Sequence, residues 1–215
     1  MIKKVVITSG PTLEPIDPVR FISNRSSGKT GYYLAYEARQ RKIERIVFIS
    51  GPVRAYPEGV ELIKVETAQE MKQAAWEHWQ DADVIIMAAA VCDFKSVRYY
   101  SEKIKKTGDS LVLELVRNPD ILREIGQHKK ARQILVGYAA ETENIFENGQ
   151  KKLREKKLDM LVLNEISTRN PAFESDENQV YLLTPRAIKK LEKMKKATIA
   201  VHVWNEIANL SGGNG

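Results

Sequence analysis

The segment PVRFISNRSSGKTG, from Pro18 to Gly31, gathers serines, small residues and one lysine directly before a stretch of helical periodicity. Such a combination suits an anion, because the first-turn N–H groups of a helix lack intrahelical partners and its dipole favours negative charge. Ser26 or Ser27 is the expected N-cap. Neither familiar phosphate motif is present. GxxxxGK[ST] needs an earlier glycine that is missing before Gly28, and no GxGxxG follows the first apolar run. A well-capped helix with no ligand accounts for the same residues. Upstream, TSGPT (8–12) ends that first run, and Gly10 permits close backbone approach. AAAVCDF (88–94) is comparable: Ala89 and Ala90 leave a backbone open to a ligand, and Asp93 either accepts hydrogen bonds from a base or ribose or ends a turn.

Cations are grouped in two places. EKIKK carries Lys103, Lys105 and Lys106, and an extended chain there would send Lys103 and Lys105 to one face. The group is either a solvated charge run or an arm that closes on phosphates. After GYAAET (137–142) comes a basic helical stretch in which Lys152 and Lys156, four residues apart, share a face. Like charges at that spacing repel, so the pair is either a triphosphate site or a merely solvated basic face. RNPDIL offers Asn118 as an N-cap and Pro119 as the first helical residue, a pattern that structure alone would explain. His78, His128 and His202 have no close metal-ligand spacing, so no metal ligands are assigned, and no local Ser–His–Asp signature occurs.

The elements that must position these residues follow from periodicity. Short apolar runs at 4–9, 45–50, 83–90, 133–140 and 159–164 read as strands. Helical patterns at about 28–40, 68–80, 119–128 and 146–157 lie between several of them. Continuous apolar strands separated by helices describe a parallel sheet covered on both faces, most economically doubly wound. Residues 94–118 break the alternation as two extended pieces, with LVLEL (111–115) the clearer strand, and predict a hairpin-like arm or flap. Residues 165–178 read as a polar loop, EISTRNPAFESDEN, and QVYLLT as an additional edge strand. The stretch from Pro185 to Leu210 reads as helix, with Val203, Ile207 and Leu210 on one apolar face, and 211–215 as a flexible tail.

A chain of 215 residues fits a single domain, here taken as 1–210. Hydrophobic residues make up 43% and charged residues 29%, as in folded proteins generally. A formal charge of +6 suits nucleic acid or a small polyanion equally. Aromatics, at 7%, are not interleaved with a basic stripe, so no nucleic-acid partner is expected. Cys92 is the only cysteine, which excludes an internal disulfide and a thiolate zinc cluster, and its default role is a small buried hydrophobe. MIKKVVITSG has no segment long enough for a signal peptide, and no stretch reaches the roughly 20 apolar residues a bilayer requires. No membrane association and a cytoplasmic location are the expectations.

Taken in order, ITSGPTLEPIDPVRFISNRSSGKTG, AAAVCDF, EKIKK, RNPDIL, VGYAAET with its lysine helix, DMLVLNEIS and FESDEN resemble the phosphopantothenoylcysteine synthetase family. The resemblance runs from Lys3 to about Leu210 and implies a Rossmann-like, homodimeric ligase. Such an enzyme activates 4'-phosphopantothenate with CTP, or with ATP, as an acyl-nucleotide, with Mg²⁺ assisting, and condenses it with L-cysteine. CTP is preferred here because the motifs look bacterial. By the same resemblance, Asn24 is associated with the intermediate, Arg20 with the phosphopantothenate or intermediate, and Ser26, Ser27 and Gly28 with the substrate loop. Lys103 is the flap lysine of activation or conversion. Gly10, Ala89, Ala90, Asp93, Asn118, Pro119, Asp120, Ile121, Tyr138, Lys152 and Lys156 are expected at the nucleotide.

The pattern also departs from the family. Cys92 stands where alanine is common, Phe94 where many bacterial members have tyrosine, and Tyr138 where the fused enzymes often have phenylalanine. The sequence lacks the flavin-dependent decarboxylase half, so no flavin is expected and a separate decarboxylase would act next. Two other readings compete. An NAD(P)-dependent Rossmann-like reductase needs a glycine fingerprint, of which there is no clear version. A non-enzymatic nucleotide- or RNA-binding module rests on positive charge alone.

Overall fold

The computed structural model describes residues 2–105, 108–166 and 175–212. In chain order the strands begin with β1 (Lys4–Ser9), β2 (Leu13–Pro15), β3 (Phe21–Ser23), β4 (Arg45–Ser50), β5 (Glu61–Lys64) and β6 (Val84–Met87). They continue with β7 (Phe94–Ser96), β8 (Leu115–Arg117), β9 (Ile134–Glu141), β10 (Met160–Glu165), β11 (Glu177–Leu183) and β12 (Ile188–Lys195). The helices are α1 (Lys29–Gln40), α2 (Ala68–His78), α3 (Ile121–His128), α4 (Ile145–Glu155) and α5 (Lys196–Gly212).

The five apolar runs become β1, β4, β6, β9 and β10, all parallel within one eight-stranded sheet of order β12-β11-β10-β9-β6-β1-β4-β5. From β1 the chain builds outward to β4 and β5, then returns to place β6 on the other side of β1. The strand order therefore reverses between β1 and β6, where a crevice opens at the carboxyl ends of an α/β sheet. Alternate side chains of each strand serve two cores. Val5, Ile7, Ile86, Val136 and Val162 pack under α1 and α5, while Val6, Ile85, Leu135 and Leu161 pack under α2, α3 and α4. Trp204 is fully enclosed and donates its indole N–H to Leu34 O at 2.9 Å, fastening α5 onto α1.

Several expectations change. The helix expected from Pro185 begins only at Lys196, because residues 188–195 form β12, antiparallel to β11. Leu191 is the buried residue of that strand, and its lysines face water along the sheet edge, a common protection for an otherwise pairable edge. QVYLLT is accordingly one strand in from the edge. Val203 and Ile207 are buried as expected and Leu210 packs beside them, but α5 continues through Gly212, so the tail does not loosen at Ser211. At the opposite edge β5 is an extra parallel strand whose residues are half-exposed, too polar for an apolar-run reading to find.

The arm pairs β7 with β8, Phe94 opposite Arg117 and Ser96 opposite Leu115. The expected strand at 111–115 thus lies too early. Asn118 N–H donates to Asp93 O at 2.8 Å and fixes the base of the hairpin, while Val112 stays exposed with no sheet to cover it. Lys103 and Lys105 lie outside any strand, so no alternating face joins them; Lys106 lies outside the described residues. The polar loop expected at 165–178 falls largely outside them too. Strands β2 and β3 form a second small hairpin, and its buried Glu14 accepts from Ala68 N–H at 2.9 Å at the start of α2. Among the described residues no helix is long and apolar enough to cross a membrane.

Candidate active site

Three chain segments meet over the β1/β6 crevice. Gly10 ends β1 with φ 71°, and its carbonyl accepts from Ala90 N–H at 2.9 Å; Ala89 N–H donates to Thr8 Oγ1 at 3.3 Å. The Asn24 amide then crosses from the serine-rich loop, donating to Val91 O at 3.0 Å and to Ala90 O at 3.3 Å. Gly10, Asn24, Ala89 and Ala90, far apart in sequence, are therefore one hydrogen-bonded unit.

The start of α1 differs from expectation in its capping. Neither Ser26 nor Ser27 caps the helix: the N-cap is Gly28, left-handed at φ 72°, with no side-chain cap hydrogen bond. A non-glycine residue would be strained there. Ser9 Oγ donates to Gly28 O at 3.1 Å, and a Cβ on Gly31 would lie 2.3 Å from Ser9 Oγ, so helix and strand end are in direct contact. With no side-chain cap among the described residues, the first-turn N–H groups are available to an anion. Lys29 turns away to pair with Asp176, whose carboxyl it holds below its ordinary range, so it is not a phosphate-loop lysine.

Asp93 is exposed at the lip of the crevice. Asn118 is not a helix cap; its amide donates to Cys92 O at 2.9 Å, and its Oδ1 is buried without a hydrogen-bond partner among the described residues. Asp120 is the N-cap of α3 in its place, accepting from Arg123 N–H at 3.1 Å, and Ile121 opens the helix after Pro119. The same Asp120 carboxylate lies 2.8 Å from Lys156 Nζ, and Lys152 Nζ lies 2.5 Å from Glu141. Both lysines are thus held by carboxylates that a polyphosphate would have to replace. The sequence reading of repelling neighbours missed these counter-ions because Glu141 and Asp120 belong to other elements.

Tyr138 is the residue the structure sets apart. It packs on the α1/α5 side of β9, beside a small cavity lined by Thr30, Asn164, Asn178 and Lys196, whereas α4 with its lysines covers the other side. Its hydroxyl is buried without a partner among the described residues, and burial pushes the phenol well above its usual range. Cys92 is buried, with its thiol raised first by burial, as an inert cysteine should be.

Arg20 does not project freely into the crevice. Its Nε lies 2.9 Å and its Nη2 2.5 Å from the buried carboxylate of Asp17, and Nη2 also donates to Ile104 O at 2.8 Å. Exposed Lys103 is the neighbour of that docked residue, so Arg20 and Lys103 are brought together through Ile104. In the sequence Asp17 shows only a turn signal, an aspartate three residues before an arginine at a Pro-rich turn. Among the described residues no three His, Cys, Asp or Glu side chains assemble as a metal cage. Mg²⁺ on a triphosphate would need one or two carboxylates at most, and Asp93 and Asp120 are both exposed here.

The signature of the DNA/pantothenate metabolism flavoprotein C-terminal domain matches residues 1–210. The coenzyme A biosynthesis bifunctional protein CoaBC of Bacillus subtilis is 43% identical over 216 residues, covering 99% of this chain and 53% of its own length. The chain thus spans about half the length of the curated relatives it matches. A crystal structure of the C-terminal domain of a CoaBC superposes with TM-score 0.82 at 35% identity, covering 99% of this chain and 97% of that one. A Cab2 variant, H337A, solved with phosphopantothenate-cysteine, superposes at 0.76 over 98% of this chain and 87% of its own; at 18% identity that likeness speaks for the fold.

Proposed function

The chain belongs to the DNA/pantothenate metabolism flavoprotein C-terminal domain family, as does the C-terminal half of CoaBC, and on that premise we propose that it is a cytoplasmic phosphopantothenate–cysteine ligase of coenzyme A biosynthesis. The observation that carries the reading is the Asn24 bridge over the β1/β6 crevice, flanked by the open N-terminus of α1, the Lys103 arm and the α4 lysines. A carboxylate oxygen of 4'-phosphopantothenate attacks the α-phosphorus of CTP and expels pyrophosphate. The amine of L-cysteine then adds to the acyl carbon, loses a proton, and expels CMP together with that carboxylate oxygen. Lys152, Lys156 and Lys103 stabilise charge developing on the leaving phosphates, the kind of preorganised stabilisation that dominates such sites. Mg²⁺ brought with the triphosphate would add to that screening. The product keeps the cysteine carboxylate, which a decarboxylation would remove next.

The assay supplies CTP or ATP with Mg²⁺, phosphopantothenate and cysteine, and follows pyrophosphate and product mass. Turnover is expected with CTP ahead of ATP at subsaturating concentration. No product with either triphosphate overturns the reading, and saturable NADPH binding would replace it with a reductase. Tight, strongly salt-dependent RNA binding without ligation would point to the non-enzymatic module.

We extend the proposal to a homodimer formed by the two small hairpins. Phe21, Phe94, Val97 and Leu115 are exposed on or beside these hairpins, β7 lying beside β2, and large apolar residues exposed on neighbouring elements suit an interface. Leu115→Lys forfeits about 2 kcal/mol of side-chain burial and introduces like charges, so the dimer dissociation constant rises by at least about tenfold. Sedimentation at graded concentration reads this directly; a variant as dimeric as the parent contradicts the assignment.

A further inference from the structure

We infer that Asp17, acting with Arg20, is a latch that fixes the arm at Ile104 and so sets where Lys103 stands. The catalytic half of this inference rests on the ligase reading; the latch itself does not.

The Asp17 side chain is wholly enclosed, and its two oxygens take five hydrogen bonds. Oδ1 accepts from the backbone N–H groups of Val19 and Arg20, each at 2.9 Å. Oδ2 accepts from Arg20 Nε and Nη2 and, at 3.1 Å, from the backbone N–H of Ile104. Arg20 Nη2 completes the grip by donating to Ile104 O. Both backbone polar groups of one arm residue are therefore held by one ion pair 84 or more positions away. A third bond, from Tyr100 N–H to Ile16 O at 2.9 Å, secures the arm nearby.

A buried carboxylate is costly unless its lone pairs are filled. Lifting Ile104 would remove one donor from Asp17 and one acceptor from Arg20 at once, so the docked position is strongly preferred. The Arg20 guanidinium holds the Asp17 carboxyl far below the ordinary carboxylate range. A depressed pKa contributes stability above the ordinary value near 4 and loses it as pH falls further, so the latch is closed at neutral pH. Arg20 Nη1 makes none of these bonds, and the side chain keeps 41% of its surface exposed. One guanidinium can thus hold the arm and still meet a substrate anion, which ties arm position to the crevice. Asp17 touches no reacting atom in this arrangement; its role is to position Lys103.

The test compares the full chain with Asp17→Asn and Ile104→Pro. The first puts an amide N–H₂ against Arg20 or Ile104 in place of an acceptor. The second leaves the Asp17 and Arg20 side chains intact and removes the arm's donor; because proline also restricts the backbone of Lys103 before it, only its exchange is scored, and it remains informative if Asp17→Asn folds poorly. Hydrogen exchange of residues 99–105 should rise by about tenfold or more in both. Ligation kcat of Asp17→Asn should fall by about 10- to 100-fold, the usual effect of misplacing a group by an ångström. The CTP dissociation constant, measured without phosphopantothenate, should stay within about threefold. The double variant should exchange no faster than the faster single one, because both break the same contact. Unchanged exchange at 99–105 in the folded variants overturns the latch, and raised exchange with full kcat in Asp17→Asn overturns its role in positioning Lys103. Should the parent protein ligate nothing, the ligase reading fails separately, and exchange alone decides the latch.

Discussion

Asn24→Asp lowers the rate of amide formation by about a hundredfold, the scale seen when a site is misplaced by about an ångström. CTP binding should change by no more than a few-fold, because the α4 lysines and the α3 start are untouched. The reason lies in the crossing that Asn24 makes. Its amide donates to Ala90 O and Val91 O, and these two bonds hold the serine-rich loop against the end of β6. A carboxylate in its place faces the same two carbonyl oxygens with no proton to give them. It would also bring negative charge toward the phosphate of the proposed acyl-nucleotide. Asn24 is exposed, so the folded state tolerates the change far better than the reaction does. Rapid-quench measurement of pyrophosphate and product separates the steps. Pyrophosphate release should outlast amide formation, and a variant that makes the amide at the parent rate would remove Asn24 from the mechanism.

Lys103→Gln has the second-largest expected effect, a fall in kcat of about a hundredfold with no change in thermal stability beyond the roughly 0.5 kcal/mol typical of surface substitutions. Lys103 is exposed on an arm that is docked one residue away, at Ile104. Its side chain contributes little to folding, but its charge is presented from a fixed backbone, which makes electrostatic stabilisation effective. Glutamine keeps length and hydrogen bonding and deletes the charge. If the arm serves mainly to exclude water, hydrolysis of the activated acid should also rise, seen as CMP formed in excess of amide. Full turnover with tight coupling would reassign the arm's cation to another residue.

The parts of the fold that were legible from sequence are those with strong apolar periodicity. β1, β4, β6, β9 and β10 are buried on both faces and read as uninterrupted apolar runs, which leaves little ambiguity about a parallel sheet. β12 reads as helix from sequence because IKKLEKMK buries mainly Leu191, and one buried residue in eight fixes no period. What decides its conformation is the unpaired edge of β11, a tertiary fact. Helix starts were misplaced for a related reason. Ser26, Ser27 and Asn118 have capping chemistry, yet the contact of Gly31 with Ser9 and the pull of Cys92 O on the Asn118 amide move the caps to Gly28 and Asp120.

The candidate site was legible as motifs and not as contacts. Ordered segments named Asn24, Ala90 and Asp93, but only the β1/β6 reversal explains why Asn24 meets Ala90 and Val91. The counter-ions Glu141 and Asp120, the turn of Tyr138 toward α1 and α5, and the enclosure of Asp17 depend on distances that spacing does not encode. Arg20 illustrates the difference. Its placement near the substrate loop was expected, whereas its grip on the arm required Ile104 to be seen beside it.

Ligation through an acyl-nucleotide would leave an isotopic trace in the nucleotide product. Phosphopantothenate carrying ¹⁸O in its carboxylate is incubated with the protein, CTP, Mg²⁺ and L-cysteine, and the nucleotide products are weighed by mass spectrometry. One labelled oxygen in CMP for each amide formed is the predicted result, because the oxygen that attacked the α-phosphorus departs with it. Label appearing in inorganic phosphate alongside CDP, or amide formed with unlabelled CMP, would rule out the acyl-nucleotide.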